Sequence, residues 1–195
     1  MRVLGIDPGT RFTGFGVVEE IRGQLFHVGH GVVKADPDAP LETRLKQIFA
    51  ALSQAFASFR PDAVAVEGVF SHRNARSALI LGHARGVALL VAAQNGISVC
   101  EYAPAKVKKS VGAGGADGKD AVARMVQTLL RVSDFGRADA SDALAVAICH
   151  LNQSRFRPVG AGPSLKLPKP KSRKGALAAL ADRISPSYVR AVGTR

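Results

Sequence analysis

Cysteine is scarce: the chain has two in 195 residues, Cys100 and Cys149. They lie far apart and lack the paired spacing of a zinc site or a disulfide framework, so a reducing compartment is expected. Long apolar runs are also missing. The longest near-continuous one, residues 86–93, falls well short of the ~20 residues of a membrane helix. Residues 1–7 reach an acid before any signal-peptide core can form. A cytoplasmic protein, neither secreted nor membrane-bound, is the expectation. Acids are few as well, 15 against 27 Lys and Arg, which leaves a formal charge of +12. Such an excess favours a polyanionic partner, nucleic acid first. The 47% hydrophobic content supplies one ordinary core and excludes a wholly disordered chain.

The excess charge is unevenly placed. Residues 1–150 carry a net +3, whereas residues 151–195 carry +9 together with Pro158, Pro163, Pro168, Pro170 and Pro186. From Arg155 to Lys174 no periodic apolar stripe is present, so that segment cannot bury enough surface to fold. The expected organisation is therefore a folded domain over residues 1–152 and a basic, Pro-rich, disordered tail over residues 153–195, available for sequence-independent phosphate contact.

Within the first 150 residues the apolar pattern alternates between two periods. Residues 3–6, 14–18 and 24–33 read as three strands of an antiparallel meander, the first turn being Pro8-Gly9-Thr10. Leu41, Leu45, Ile48, Phe49, Leu52, Phe56 and Phe59 then mark one face of a helix that stops before Pro61. Residues 63–66 form a buried-type strand, 77–94 a helix closed by Asn95-Gly96, and 98–101 a fifth strand. Helices follow from Pro104, over 119–130 and over 139–151. Strands added after crossovers pair in parallel, so this order predicts an α/β fold: a mixed five-stranded sheet flanked by helices, its first and fourth strands parallel neighbours.

That topology gives four acids a common address. Asp7 ends the first strand and Glu67 the fourth, so their carboxylates come within about one strand spacing, ~4.8 Å. Asp139 and Asp142, at i and i+3 in the first turn of the last helix, share a face that can point at the same strand ends. Four converging acids repel unless a hard cation such as Mg²⁺ or Mn²⁺ compensates them. Each acid alone has a plainer role: Asp7 in a turn, Asp139 and Asp142 as an N-cap with its N3 acid, Glu67 in a strand-terminal turn. Their joint placement at the carboxyl end of one sheet favours a site.

Other residues carry weaker signals. The glycine-rich segment 112–120 is no P-loop, because Ala113 and Asp120 replace the required Gly and Ser/Thr. Lys119 within it opens a helix, where a lysine can meet a phosphate. Phe70, followed by His72, Arg73 and Arg76, is either a buried aromatic or one exposed to stack on a base. Lys106, Lys108 and Lys109 form either a solvated helix face or a phosphodiester contact. His27, His30, His83 and His150 have no metal-ligand spacing and read as ordinary core or surface residues.

Taken together, the motifs Leu4-Gly-Ile-Asp-Pro-Gly9 with Thr13-Gly14, Glu67-Gly-Val-Phe70, Asn74-Ala-Arg-Ser-Ala-Leu79, Leu81-Gly-His-Ala-Arg-Gly86, Tyr102-Ala-Pro104 and Asp139-Ala-Ser-Asp142 resemble the RuvC-type Holliday junction resolvases. The resemblance spans about residues 1–152 and implies a ribonuclease H-like fold. It implies metal-dependent, symmetric nicking of a four-way DNA junction during recombination and repair, leaving 5′-phosphate and 3′-hydroxyl ends. By the same resemblance Asp7, Glu67, Asp139 and Asp142 are the metal ligands, holding two Mg²⁺ or Mn²⁺ ions. Lys108 and Lys119 contact the scissile region or the DNA backbone, and Phe70 stacks in the opened junction; Arg73 and Arg76, its basic neighbours, are expected to bind DNA as well. A homodimer and cooperation with a branch-migration motor complex are also implied. Departures fall in residues 113–121, where Ala121 replaces a usual glutamine, and after Asn152, where the basic extension is longer than usual.

Three other functions compete. A related ribonuclease H-like nuclease would use the same acids on another branched DNA or RNA substrate. A sugar-kinase or actin-like ATPase shares the Asp7-x-Gly9-Thr10 pattern but needs two lobes, for which this chain has no room. A non-catalytic DNA-binding module would bind junctions without metal-dependent nicking.

Overall fold

Val3, Leu4 and Ile6 have no exposed surface, and the strand they form is the centre of the fold. In the computed structural model, which describes residues 1–68, 75–113 and 120–155, β1 (Arg2–Asp7) pairs antiparallel with β2 (Phe12–Ile21). β2 pairs antiparallel with β3 (Gln24–Lys34). α1 (Leu41–Phe59) then crosses to β4 (Ala63–Glu67), parallel to β1, and α2 (Ala75–Gln94) to β5 (Val99–Tyr102), parallel to β4. The sheet order is β3-β2-β1-β4-β5, the mixed five-stranded arrangement that the sequence predicts. Three helices follow: α3 (Pro104–Ser110), α4 (Ala121–Leu130) and α5 (Ala138–Ser154). Packing divides the chain at Leu165/Lys166, and every described residue belongs to the first unit. Gln153 and Ser154, the first residues of the expected tail, continue α5 instead, and Arg155 Nε pairs with Glu20 Oε1 at 3.0 Å; the rest of the tail, together with Phe70, Arg73 and Lys119, lies outside the described residues, and of Arg76 only the backbone is described.

Strand alternation sorts side chains into two cores. Val3, Val18, Ala63 and Ala65 pack with α3, α4 and α5, while Leu4, Ile6, Val17, Val64 and Val66 pack with α1 and α2. The α5 side is the tighter. A Cβ at Gly5 would run into the backbone of Ala143, and one at Gly14 into the carbonyl of Asp139, so glycine at these two positions lets the helix backbone rest directly on the sheet.

Element limits differ from the expected ones where pairing outweighs local preference. β2 runs from Phe12 to Ile21 rather than over residues 14–18, because β3 pairs with it at both ends, Phe12 with Lys34 and Thr13 with Val33 at one, Glu19 with Phe26 through Ile21 with Gln24 at the other. The helix expected from Lys119 begins at Ala121. Ser77–Gln94 of α2 has a mean hydropathy of 1.4 and is long and apolar enough to cross a membrane by length and composition; Arg85 hides this in a residue-by-residue reading. Ala84, Ala88, Val91 and Ala92 are its buried side.

Candidate functional site

β1 and β4 stop together. Ile6 stands beside Val66 in the parallel register, so the next residues, Asp7 and Glu67, leave the sheet side by side. Alternation places both on the face of Val3 and Ala63, the face that α5 covers. Asp7 also pairs with Gly14 across β2, and Gly14 lies against the backbone of Asp139. The head of α5 therefore sits over the two strand-end carboxylates, bringing Asp139 and, one turn on, Asp142 to the same place. All four acids are half-buried.

Their charges interact strongly. The Asp7 carboxyl is pushed from its ordinary 3.8 up to about 8, first by burial, then by the charges of Glu67, Asp142 and Asp139, with a hydrogen bond to Glu67 added. Burial and then Asp142 hold Glu67 above the usual carboxylate range, against the pull of Lys108 and of the Asp7 hydrogen bond. Asp142 is raised by burial and by Asp139, again opposed by Lys108. Lys108, exposed on α3, is thus the lysine of its helix that reaches the pocket electrostatically.

The surrounding backbone is pinned. Thr13 Oγ1 accepts from the Gly9 amide and donates to the Gly9 carbonyl. Arg44 of α1 donates through Nε and Nη2 to the Thr10 carbonyl at 2.9 and 2.6 Å, and through Nη2 to Thr10 Oγ1. The turn after Asp7 is fixed by these bonds. Beyond Glu67, the Gly68 amide donates to the Tyr102 carbonyl at 2.8 Å. Tyr102 itself is hydrogen-bonded to His150 of α5, Oη to Nδ1, at 2.9 Å.

Two expectations change here. Neither Asp139 nor Asp142 caps α5: the N-cap position belongs to Arg137, which makes no side-chain capping bond. Instead Arg137 Nε donates to Asp139 Oδ2 at 3.1 Å, and its guanidinium carbon lies 3.7 Å from the centre of the Phe12 ring. His27 and His30 are also brought together. An irregularity in the β2–β3 register sets His27 opposite Val18 and Gly29 opposite Val17, leaving Val28 as an extra residue. Such a bulge reverses the alternation, so residues three apart share a face and His27 Nε2 meets His30 Nδ1 at 2.8 Å. Burial and then the His30 charge hold His27 below the usual imidazole range.

Oxygen donors of this kind are what a hard divalent cation takes. As they stand among the described residues, no three His, Cys, Asp or Glu side chains close around one ion. Asp7 and Glu67 share a hydrogen bond, and Asp139 is turned to Arg137. The donor set fits, since two positive charges would relieve both the raised Asp7 and the mutual repulsion of the four acids.

Comparison with known proteins bears on what such a pocket serves. Residues 3–150 match the family model described as crossover junction endodeoxyribonuclease RuvC. The protein of that name from Myxococcus xanthus is 66% identical over 192 residues, covering 97% of this chain and 98% of its own. That of Syntrophotalea carbinolica is 50% identical, covering 77% of this chain and 93% of its own. Among solved structures, Thermus thermophilus RuvC in complex with a Holliday junction substrate superposes with a TM-score of 0.74 at 35% identity, covering 80% of this chain and 96% of that one. The yeast mitochondrial Holliday junction resolvase Ydc2, at 11% identity and a TM-score of 0.56, shares the fold.

Proposed function

This chain belongs to the RuvC family of crossover junction endodeoxyribonucleases, and from that premise we propose that it resolves four-way DNA junctions by divalent-cation-dependent hydrolysis of one phosphodiester in each of two strands. The observation that carries this is the pocket itself: Asp7, Glu67, Asp139 and Asp142, drawn from two strand ends and one helix head, where burial first and the neighbouring acids next push the Asp7 carboxyl up to about 8.

Asp7 and Glu67, with Asp139 and Asp142 facing them, would hold two Mg²⁺ or Mn²⁺ ions. The chemistry such ions would supply there is activation of a water and neutralisation of charge on the scissile phosphate and its leaving 3′-oxygen. The protein contributes position: the Thr13 and Arg44 bonds fix the Asp7 turn, and the bare backbone of Gly14 seats the helix that carries Asp139 and Asp142. Lys108 supplies a positive edge on which the phosphodiester rests. Lys119, Arg73 and Arg76 are assigned to the DNA backbone, and Phe70 to an unstacked base. Since these contacts come mainly from cationic residues, junction binding and cleavage are separable.

Two symmetric cuts need two pockets, and one chain carries one, so the working form is a twofold homodimer. The exposed face of α2 supports this. Leu79 and Leu90 are 68% and 51% exposed and, with Gly82, Gly86 and Val87, line an open cleft of about 520 Å³. Their spacing of i, i+3, i+7, i+8 and i+11 makes one apolar stripe along the helix, and the two open glycines admit another backbone closely. The site is cytoplasmic in this reading, and a branch-migration motor complex delivers the junction.

The test is cleavage of a synthetic four-way junction, a linear duplex and an RNA–DNA hybrid, each with Mg²⁺, Mn²⁺ or chelator. Paired nicks confined to the junction and abolished by chelator are expected. Equal cutting of the linear duplex or the hybrid would overturn junction selectivity, and cutting in chelator would overturn the role of the cation.

A further inference from the structure

Arg137 is set beside the carboxylate pocket with more care than a surface arginine requires. The backbone before it is fixed: Phe135 is buried, Gly136 adopts a φ of 71° that disfavours any side chain, and the Arg137 amide donates to the Phe135 carbonyl at 2.8 Å. Its far end is fixed too, by the Phe12 ring at 3.7 Å, a contact that does not involve Asp139. The guanidinium is thus held by β2 and by its own turn, and from there Nε reaches Asp139 Oδ2 at 3.1 Å.

The pairing has a consequence for the pocket. Asp139 is one of the four proposed cation ligands, and a lone pair of its Oδ2 is engaged by Arg137. A carboxylate oxygen that is satisfied by a guanidinium is less available to a divalent ion, and the positive charge beside it disfavours a second cation.

We propose that Arg137 is the resident counter-charge of the carboxylate pocket, and that it and a divalent cation are alternative partners of Asp139. The inference rests on the cation-site reading above. In the metal-free protein Arg137 steadies Asp139 and offsets part of the repulsion among the four acids. When Asp139 turns to a cation, the guanidinium stays parked on Phe12 at the rim of the pocket. Arg137 is therefore a positioning residue that weakens cation binding in exchange for a stable empty site.

The experiment is Mn²⁺ binding to the full chain without DNA, read by the electron paramagnetic resonance of free Mn²⁺. A half-exposed ion pair of this type shifts an affinity by about two- to fivefold, so Arg137→Gln should tighten Mn²⁺ by that factor. Arg137→Lys, which keeps the charge but loses the planar fork and its stacking, should lie between wild type and Gln. In an Asp139→Asn background the same Arg137→Gln change should tighten Mn²⁺ clearly less, because the direct pair is already gone and only the through-space charge is removed. Unchanged or weaker binding by Arg137→Gln overturns the proposal, as does equal tightening in the Asn background. If instead wild type binds no Mn²⁺, or Asp7→Asn binds it as tightly as wild type, the cation-site reading itself fails and takes the proposal with it.

Discussion

Replacing Asp7 with asparagine should destroy cleavage and yet make the metal-free protein more stable. Burial and three neighbouring acids raise the Asp7 carboxyl from 3.8 to about 8, so at pH 7 the folded chain keeps a proton that the unfolded chain has lost. About three pH units separate 7 from 3.8, and at 1.36 kcal/mol per unit the folded state carries a penalty of about 4 kcal/mol. Solvent at the half-exposed pocket reduces this to roughly 1–3 kcal/mol. Asparagine has the same shape, keeps a hydrogen bond to Glu67 and carries no charge. The sign follows from linkage. A carboxyl raised in the folded state costs nothing below pH 4, where both states are protonated, and its cost grows until pH passes the folded value near 8. Thermal melts in chelator from pH 4 to pH 9 should therefore show Asp7→Asn gaining over wild type as pH rises, by roughly 2–10 °C at neutral pH and above. Adding Mn²⁺ should stabilise wild type by mass action and leave the variant behind. An Asn variant that melts at or below wild type in chelator at pH 8, or that gains most near pH 4, would refute the reasoning.

The other predictions concern the frame of the pocket and its partners. Gly14→Ala sets a methyl against the Asp139 carbonyl, which should cost about 1–3 kcal/mol and displace the head of α5, so that a lowered melting temperature accompanies lost cleavage. Lys108→Gln removes the cation that draws Glu67 and Asp142 downward. The acid limb of the pH–rate profile should then move to higher pH, and an unmoved limb would detach Lys108 from the pocket. Leu79→Asp with Leu90→Asp charges the exposed stripe of α2, and light scattering should report a monomer where wild type is a dimer; a dimer that survives both changes lies on another surface.

What the sequence disclosed and what it hid divide along a physical line. Asp7 and Glu67 were legible because each ends a short apolar strand, and the period of two puts both on one face once parallel pairing is granted. Asp139 and Asp142 were legible as a pair at i and i+3, but their local pattern also fits an N-cap, a role that the structure gives to Arg137 without a capping bond. Contacts between distant segments left no sequence signal. The stacking of Arg137 on Phe12 joins residues at opposite ends of the domain, and the meeting of His27 with His30 depends on a bulge set by pairing with β2, whereas ordinary alternation would separate them. The apolar length of α2 was masked by Arg85, whose partner Glu101 lies on β5. Phe70, Arg73 and Lys119 were singled out from their basic and aromatic surroundings and lie outside the described residues.

The central claim, that four acids drawn from both ends of the domain form one cation-dependent cutting site, meets its most direct test in Asp142→Asn assayed twice on the same four-way junction. Gel-shift binding in chelator should match wild type within a factor of about two, while nicking with Mn²⁺ should fall to the uncatalysed background. Nicking at the wild-type rate would contradict the account.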